Sequence, residues 1–229
     1  MVRSERLTAI GEMAARVAHE IRNPLVAIGG FARSLLAGRS EQDAATRESL
    51  EIIVNEVRRL ENIVKEVLEF SRPVPPKIGS VSLERVAAEA LELLRWELEH
   101  TAVAGRVEAP NDTPPAAADS DQIFHAVINL LRNAVHAMPQ GGELVVKLRG
   151  VPHGVEMAIV DTGVGMPADV LAHAQEAFYT TKPNGSGLGL TIASQIVRDH
   201  GGEIRIDSRE GEGTAVTLLL PAAKEGADA

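Results

Sequence analysis

Leu7, Ile10, Ala14, Val17 and Ile21 recur at steps of three, four, three and four, the rhythm of a heptad seam along one side of a helix. The seam predicts a helix from roughly Ser4 to Leu36, with Gly38 and Ser40 marking its end. Leu50, Ile53, Val57, Leu60, Val64 and Val67 repeat the rhythm and predict a second helix from about Ala44 to Phe70. Two such helices form an antiparallel hairpin that cannot bury both seams within itself. Pairing with an identical hairpin completes a four-helix bundle, so a homodimer is the economical arrangement. The seams alone would equally serve a stalk or spacer coiled coil. With Leu7 at heptad position a, His19 falls at f, turned away from the seam, with Glu20 beside it and Asn23 one helical turn on along the same face. Pro24 removes a helical N–H and is expected to bend the helix just beyond. Taken singly, His19 is a solvated surface residue.

The pattern changes after Arg72-Pro-Val-Pro-Pro76. A helix is expected from Ser82, a candidate N-cap with Arg85 rather than Glu three residues on, to about His100. A strand near Val103–Glu108 and a Pro- and Ala-rich loop at Asn111–Ala118 come next, then a helix over Asp119–Met138. Strands follow near Glu143–Arg149 and Val155–Val160, then a polar, glycine-containing stretch over Asp161–Gly189. A helix over Leu190–Asp199 and strands Glu203–Ser208 and Thr214–Leu220 close the pattern. Strands that follow one another as hairpins, with helices in a separate set, favour an α+β sandwich: a mixed sheet covered by helices on one face. The expected division is a helical hairpin over 1–72, a Pro-rich linker over 73–80, a second domain over 81–221 and a flexible tail over 222–229.

Composition narrows the function classes. Aromatic residues make up only 3% of the 229 residues, so the cores must be built from Leu, Val, Ile and Ala. A net charge of −9 argues against nucleic acid or an anionic membrane as partner, and leaves any polyanion to be held by local features. The absence of cysteine excludes disulfides and thiolate metal sites and fits a reducing compartment. No apolar run approaches ~20 residues and no signal-peptide core is present, so a cytoplasmic chain without membrane contact of its own is expected. A helix that starts in mid-heptad near residue 5 is suited to continue from a preceding sensor region, which would carry any membrane anchor.

Four groups of residues have chemical potential. His125, Asn129, Asn133 and His136 form a polar stripe along the helix over Asp119–Met138, opposite Ile123, Val127, Leu130, Leu131, Ala134 and Val135. Asn is a poor helix former, so two on one stripe suggest a use, and an amide oxygen can ligate Mg²⁺ alongside substrate phosphates. Asp161-Thr-Gly-Val-Gly-Met166 directly follows an apolar strand, placing an acceptor at a strand end with glycines that let backbone approach a flat ligand. Gly185-Ser-Gly-Leu-Gly-Leu190 opens a helix and offers backbone N–H groups to an anion. It is neither a Walker A loop, lacking the Gly-Lys-Ser/Thr, nor a Rossmann fingerprint, lacking the preceding strand. Between the two glycine segments lie Phe178, Tyr179, Thr180, Thr181 and Lys182, in a stretch polar and Gly-containing enough to move, expected to be either a disordered loop or a functional lid. Gly211-Glu-Gly-Thr214 reads most simply as a turn before the last strand.

Assembled, these residues resemble the transmitter core of bacterial two-component sensor histidine kinases over nearly the whole chain. His-Glu-Ile-Arg-Asn-Pro-Leu25 is similar to the phosphoacceptor box, Asn129-Leu-Leu-Arg-Asn-Ala134 to the asparagine box, and Asp161 to Met166 to the first glycine box. Phe178 to Lys182 is similar to the phenylalanine box, Gly185 to Leu190 to the second glycine box and Gly211 to Thr214 to the third. The wording is most like nitrogen-regulation-type kinases. The resemblance implies a dimerisation and histidine-phosphotransfer hairpin followed by a Bergerat-type ATP-binding domain, with ATP and Mg²⁺ as cofactors.

By position, the resemblance makes His19 the nucleophile toward the γ-phosphorus, Glu20 the group that orients it and accepts its proton, and Asn23 the residue that helps place water for dephosphorylating the partner. It makes Asn133 the Mg²⁺ ligand and Asn129 its support. Asp161 would accept from the adenine amino group, with Gly163 and Gly165 lining the base pocket. Gly185, Gly187, Leu188 and Gly189 would surround the phosphates, and Thr181, Lys182 and Thr214 complete the expected nucleotide site. The implied partners are the receiver domain of a response regulator, which the protein would phosphorylate on aspartate and also dephosphorylate, and a second copy of the chain. Hydrolysing relatives carry a glutamate where this chain has Asn129, and an amide cannot serve as that base. A plain ATPase is therefore disfavoured, as is a non-catalytic dimeric scaffold, since none of the motifs is degraded.

Overall fold

The computed structural model describes residues 21, 23–35, 43–71, 74–152, 154–182 and 185–223. His19 and Glu20 lie outside them. The chain divides into two compact units, Met1–Pro73 and Val74–Ala229.

In the first unit, residues 23–35 form α1, and Asp43–Ser71 forms α2, the two arms of a helical hairpin. Asn23, Pro24 and Leu25 are all helical, and Pro24 is buried, so the helix does not end at the proline. α2 buries Ile63 but leaves Leu50, Val54, Val57 and Val64 between 41% and 49% exposed. Three of these, Leu50, Val57 and Val64, are seven residues apart, the spacing of one heptad position.

The second unit comprises β1 (Gly79–Val81), α3 (Leu83–Leu93), α4 (Arg95–His100), β2 (Val103–Glu108), β3 (Ala116–Ala118), α5 (Ser120–His136), β4 (Gly142–Val151), β5 (Gly154–Asp161), α6 (Ala168–His173), α7 (Gly189–Asp199), β6 (Glu203–Arg209) and β7 (Gly213–Pro221). The main sheet has the order β2-β4-β5-β7-β6. β2 runs parallel to β4, and every other pairing in it is antiparallel, so the sheet is mixed. α5 lies in the β2-to-β4 connection, as a parallel pairing requires a crossover.

Side-chain alternation decides which face is covered. In β5, Val155, Met157 and Ile159 are buried, and they share one cluster with Leu144, Val146 and Leu148 of β4 and Leu218 and Leu220 of β7. That cluster also takes in Leu83, Val86 and Ala90 of α3, Ile123, Val127 and Leu131 of α5, and Ala193 and Val197 of α7. Each fully buried Leu, Ile or Val contributes roughly 1.5–3 kcal/mol, so this largely aliphatic layer, with Phe124 packed against it, holds the helices on the sheet. Asp161 is the next residue of the same inward row, which places a carboxylate at the end of the apolar layer.

α5 is anchored at its start. Asp119 Oδ1 accepts from the N–H groups of Asp121 (3.1 Å) and Gln122 (3.2 Å), as an N-cap should. Its Oδ2 accepts from Lys77 N–H at 2.8 Å, and its own N–H donates to Nε2 of the buried His200 at 3.0 Å. His200 in turn meets the Ile196 carbonyl through Nδ1 at 2.7 Å, so the ring joins the start of α5 to the end of α7.

Several elements differ from the sequence reading. The helix expected over Ser82–His100 is divided at Leu94 (φ −90°, ψ 3°) into α3 and α4, though Ser82 does cap it, accepting from Arg85 N–H at 3.3 Å. The expected loop Asn111–Ala118 ends in β3, which pairs antiparallel with β1, and Gly79 and Ser80 of β1 fall in the expected linker. Val74 also leaves the linker, its carbonyl accepting from Gln122 Nε2 at 3.1 Å. The polar stretch Asp161–Gly189 contains α6. Ala222 and Ala223, expected in the tail, are tied to Ala116 and to the Pro115 carbonyl.

Candidate active site

Asp161 is 5% exposed at the end of β5. Its Oδ1 accepts two backbone hydrogen bonds, from Gly163 N–H (2.9 Å) and Thr214 N–H (3.2 Å), which leaves Oδ2 for a ligand donor. Burial raises the carboxyl pKa above the ordinary value, and the two N–H bonds and the charge of Lys182 oppose that shift. A buried acceptor held by backbone bonds suits recognition of an amino group on a flat ring.

Ser208 locks this corner. Its Oγ donates to the Gly213 carbonyl (2.9 Å), accepts from Met166 N–H (2.9 Å) and lies 2.9 Å from Thr214 Oγ1, fastening the first glycine segment to the β6–β7 hairpin. Gly165, at φ +63°, is required there, because a Cβ would stand 1.9 Å from the Arg209 carbonyl oxygen. A Cβ on Gly163 would stand 2.5 Å from the Ala137 carbonyl oxygen at the end of α5.

The polar stripe of α5 meets the start of α7. A Cβ on Gly189 would lie 3.9 Å from both Asn129 Cβ and Asn133 Nδ2, so the second glycine segment sits against both asparagines. α7 has no side-chain cap and no acidic residue in its first turn. Its first-turn N–H groups and dipole are thus available to an anion. Asn129 Nδ2 is 3.5 Å from Nε2 of His125. Asn133 Oδ1 accepts from the Lys182 ammonium at 3.2 Å. Burial lowers the His136 pKa, and the charges of Lys182 and Arg132 add to this against the pull of Glu97, whose Oε1 is 3.9 Å from the ring.

The segment between Phe178 and Gly187 has joined ends. Phe178 is buried at φ +63°, and its N–H donates to the Gly187 carbonyl at 2.9 Å, while Gly187 (φ +69°) leaves no room for a Cβ against the Phe178 backbone. Within it, Thr180 Oγ1 accepts from Lys182 N–H (3.1 Å) and the Lys182 carbonyl accepts from Gly185 N–H (3.2 Å). Gly185 N–H is therefore engaged in a turn, and Leu188 N–H in a bond to Ser186 Oγ at 3.2 Å. Of the backbone donors expected to face phosphate, those of Gly185 and Leu188 are thus engaged within the loop. Thr181 is exposed, and its neighbour Thr180 makes the turn.

The structure thus brings Asp161, Gly163, Gly165 and Thr214 together at one end of the site and Asn129, Asn133, Lys182 and Gly189 at the other, with Lys182 and Asp161 in electrostatic reach of each other. Asn23 is an exposed residue of α1 in the other unit. Ser208 was not foreseen, since a serine inside a strand carries no sequence signal; Thr180 belongs to the phenylalanine box, but Thr181 rather than Thr180 is the residue the sequence reading expects at the nucleotide. Among the described residues no group of three or more His, Cys, Asp and Glu side chains converges. The oxygen chemistry on offer to a divalent ion is the Asn133 amide, which already faces a cationic group, together with a ligand's own phosphates.

Comparison with known proteins accounts for both units. Residues 9–75 match the His Kinase A (phospho-acceptor) domain, and residues 118–224 match the histidine kinase-, DNA gyrase B- and HSP90-like ATPase domain. Sporulation kinase E of Bacillus subtilis (strain 168) is 35% identical over 96% of this chain and 29% of its own length. The chain spans less than half the length of the curated relatives it matches. The crystal structure of histidine kinase ThkA in complex with response regulator protein TrrA superposes with a TM-score of 0.83 at 31% identity, over 98% of this chain and 65% of that one. The structure of the mycobacterial sensor histidine kinase MprB, at 32% identity and a TM-score of 0.56, covers 63% of this chain, which spans 97% of it.

Proposed function

The chain belongs to the two-component sensor histidine kinases and carries their transmitter core, and from that premise we propose that it phosphorylates itself on His19 with ATP and passes the phosphoryl group to an aspartate of a response regulator. The observation that carries this reading is the convergence of Asp161, the two asparagines and the uncapped start of α7 on one site, in a chain whose other unit bears His19.

Asp161 Oδ2 accepts from the adenine amino group, while Gly163 and Thr214 keep Oδ1 occupied and the carboxylate oriented. The first-turn N–H groups of α7 and Lys182 receive the phosphates. Asn133 would hold Mg²⁺ through its amide oxygen, and the ion would neutralise phosphate charge as phosphoryl transfer proceeds. A ring nitrogen of neutral His19 forms the N–P bond as the bond from the γ-phosphorus to the β–γ bridging oxygen breaks. ADP leaves with that electron pair, and Glu20 takes the proton from the other ring nitrogen. An unperturbed imidazole, with a pKa of ~6.5, is mostly neutral at cellular pH. Asn129, an amide, has no basic oxygen with which to activate water, so the site favours transfer over hydrolysis.

The partners follow from the same premise. The exposed heptad row of α2 takes a second copy of the hairpin, giving a homodimer with a four-helix bundle. The bundle face bearing His19 and Asn23 takes the receiver domain, and Asn23 serves dephosphorylation of that partner. The test is incubation with γ-labelled ATP and Mg²⁺, alongside His19→Gln and Asn133→Ala. An acid-labile, alkali-stable label on the parent chain alone is the expected result. No label on a chain that still binds ATP would overturn the kinase reading.

A further inference from the structure

Lys182 is placed with unusual care for a lid residue. Its backbone N–H is tied to Thr180 Oγ1 and its carbonyl to Gly185 N–H, so the residue is held on both sides within a turn. Its side chain runs inward rather than into solvent: Nζ reaches Asn133 Oδ1 at 3.2 Å, and its charge is felt at both Asp161 and His136. Burial works against its charged form and the Asp161 carboxylate works for it. The ammonium therefore sits, as a compact hard cation, on the oxygen that the proposed function assigns to a divalent ion.

An ammonium and a divalent cation cannot share that one oxygen, because like charges in a partly buried site repel strongly. Resting on the nucleotide reading, we propose that Lys182 is an interchangeable cation of the site: it holds Asn133 Oδ1 when no divalent ion does, and yields that oxygen when one arrives. Two consequences follow. The chain binds nucleotide phosphates in the absence of Mg²⁺ with Lys182 supplying the countercharge. Arrival of the ion pushes Lys182 off Asn133.

The signature is in the metal dependence of binding and needs no turnover. The dissociation constant of the β,γ-imido analogue of ATP is measured by calorimetry with Mg²⁺ and with EDTA, for the parent chain, Lys182→Met and Lys182→Arg. Methionine keeps the length and removes the charge; arginine keeps the charge. The expected result is that the ratio of the EDTA constant to the Mg²⁺ constant rises at least tenfold in Lys182→Met and stays within about threefold of the parent in Lys182→Arg. An equal loss under both conditions would make Lys182 an ordinary phosphate contact and overturn the proposal, as would a ratio that does not change. If the parent chain bound the analogue under neither condition, the nucleotide reading itself would fall.

Discussion

α2 and α5 are both long amphipathic helices, and they dispose of their apolar residues in opposite ways. α5 buries Ile123, Val127 and Leu131 completely against the sheet and its neighbouring helices, and what remains on its surface is a polar stripe. α2 buries Ile63 and leaves Leu50, Val54, Val57 and Val64 in view. In α5 the unexplained residues are polar, and they mark a site for small-molecule chemistry. In α2 the unexplained residues are apolar, and they form the surface that the proposed homodimer covers. On that reading one unit is complete within a single chain and the other is not.

That contrast can be broken deliberately. The largest effect is expected from Leu131→Ala, which removes a fully buried side chain from α5 and should cost about 2–5 kcal/mol, read as a lower denaturation midpoint in urea. Val57→Glu should leave the second unit folded yet weaken self-association about a hundredfold or more, because a charge would enter an apolar seam; sedimentation velocity across a dilution series would show it. If Val57→Glu remained dimeric at low concentration, the exposed row on α2 would not be the interface.

Asp161→Asn should lower nucleotide affinity about tenfold or more while leaving the melting temperature equal or higher. Burial raises the Asp161 pKa, so the folded chain binds this proton more readily than the unfolded one, and the associated stability is lost as pH rises through the raised value. The stability advantage of the asparagine variant should therefore widen from acidic toward neutral pH and then level off. Asp119→Ala is the smallest change, about 1 kcal/mol for the lost cap, seen as a modest fall in melting temperature.

Periodicity carried much of this architecture. The long helices and the five strands of the main sheet are legible because each repeats one spacing long enough to be recognised, at 3.6 or at 2 residues. β1 and β3 are three residues each, rich in Gly, Ser and Ala, and are defined by pairing with each other across distant sequence. The break at Leu94 lies inside an unbroken run of helix formers, so only packing reveals it. At the site, the sequence pattern indicated Asp161, Asn129 and Asn133 because polar residues interrupt apolar periodicity there. It could not assign individual hydrogen bonds. That Gly185 N–H serves a turn, that Thr180 rather than Thr181 holds Lys182, and that Ser208 fastens the first glycine segment all depend on which partner lies nearest in space.

The bond from Phe178 N–H to the Gly187 carbonyl acts as a clasp on the segment 179–186. With the ends fixed by the fold, lengthening the loop between them is cheap, about 0.6 kcal/mol of closure entropy for each doubling. Added length inside the clasp therefore puts little strain on β5 or α7. The segment between Phe178 and Gly187 is thus a place where chain length can change at little cost while the walls of the site stand.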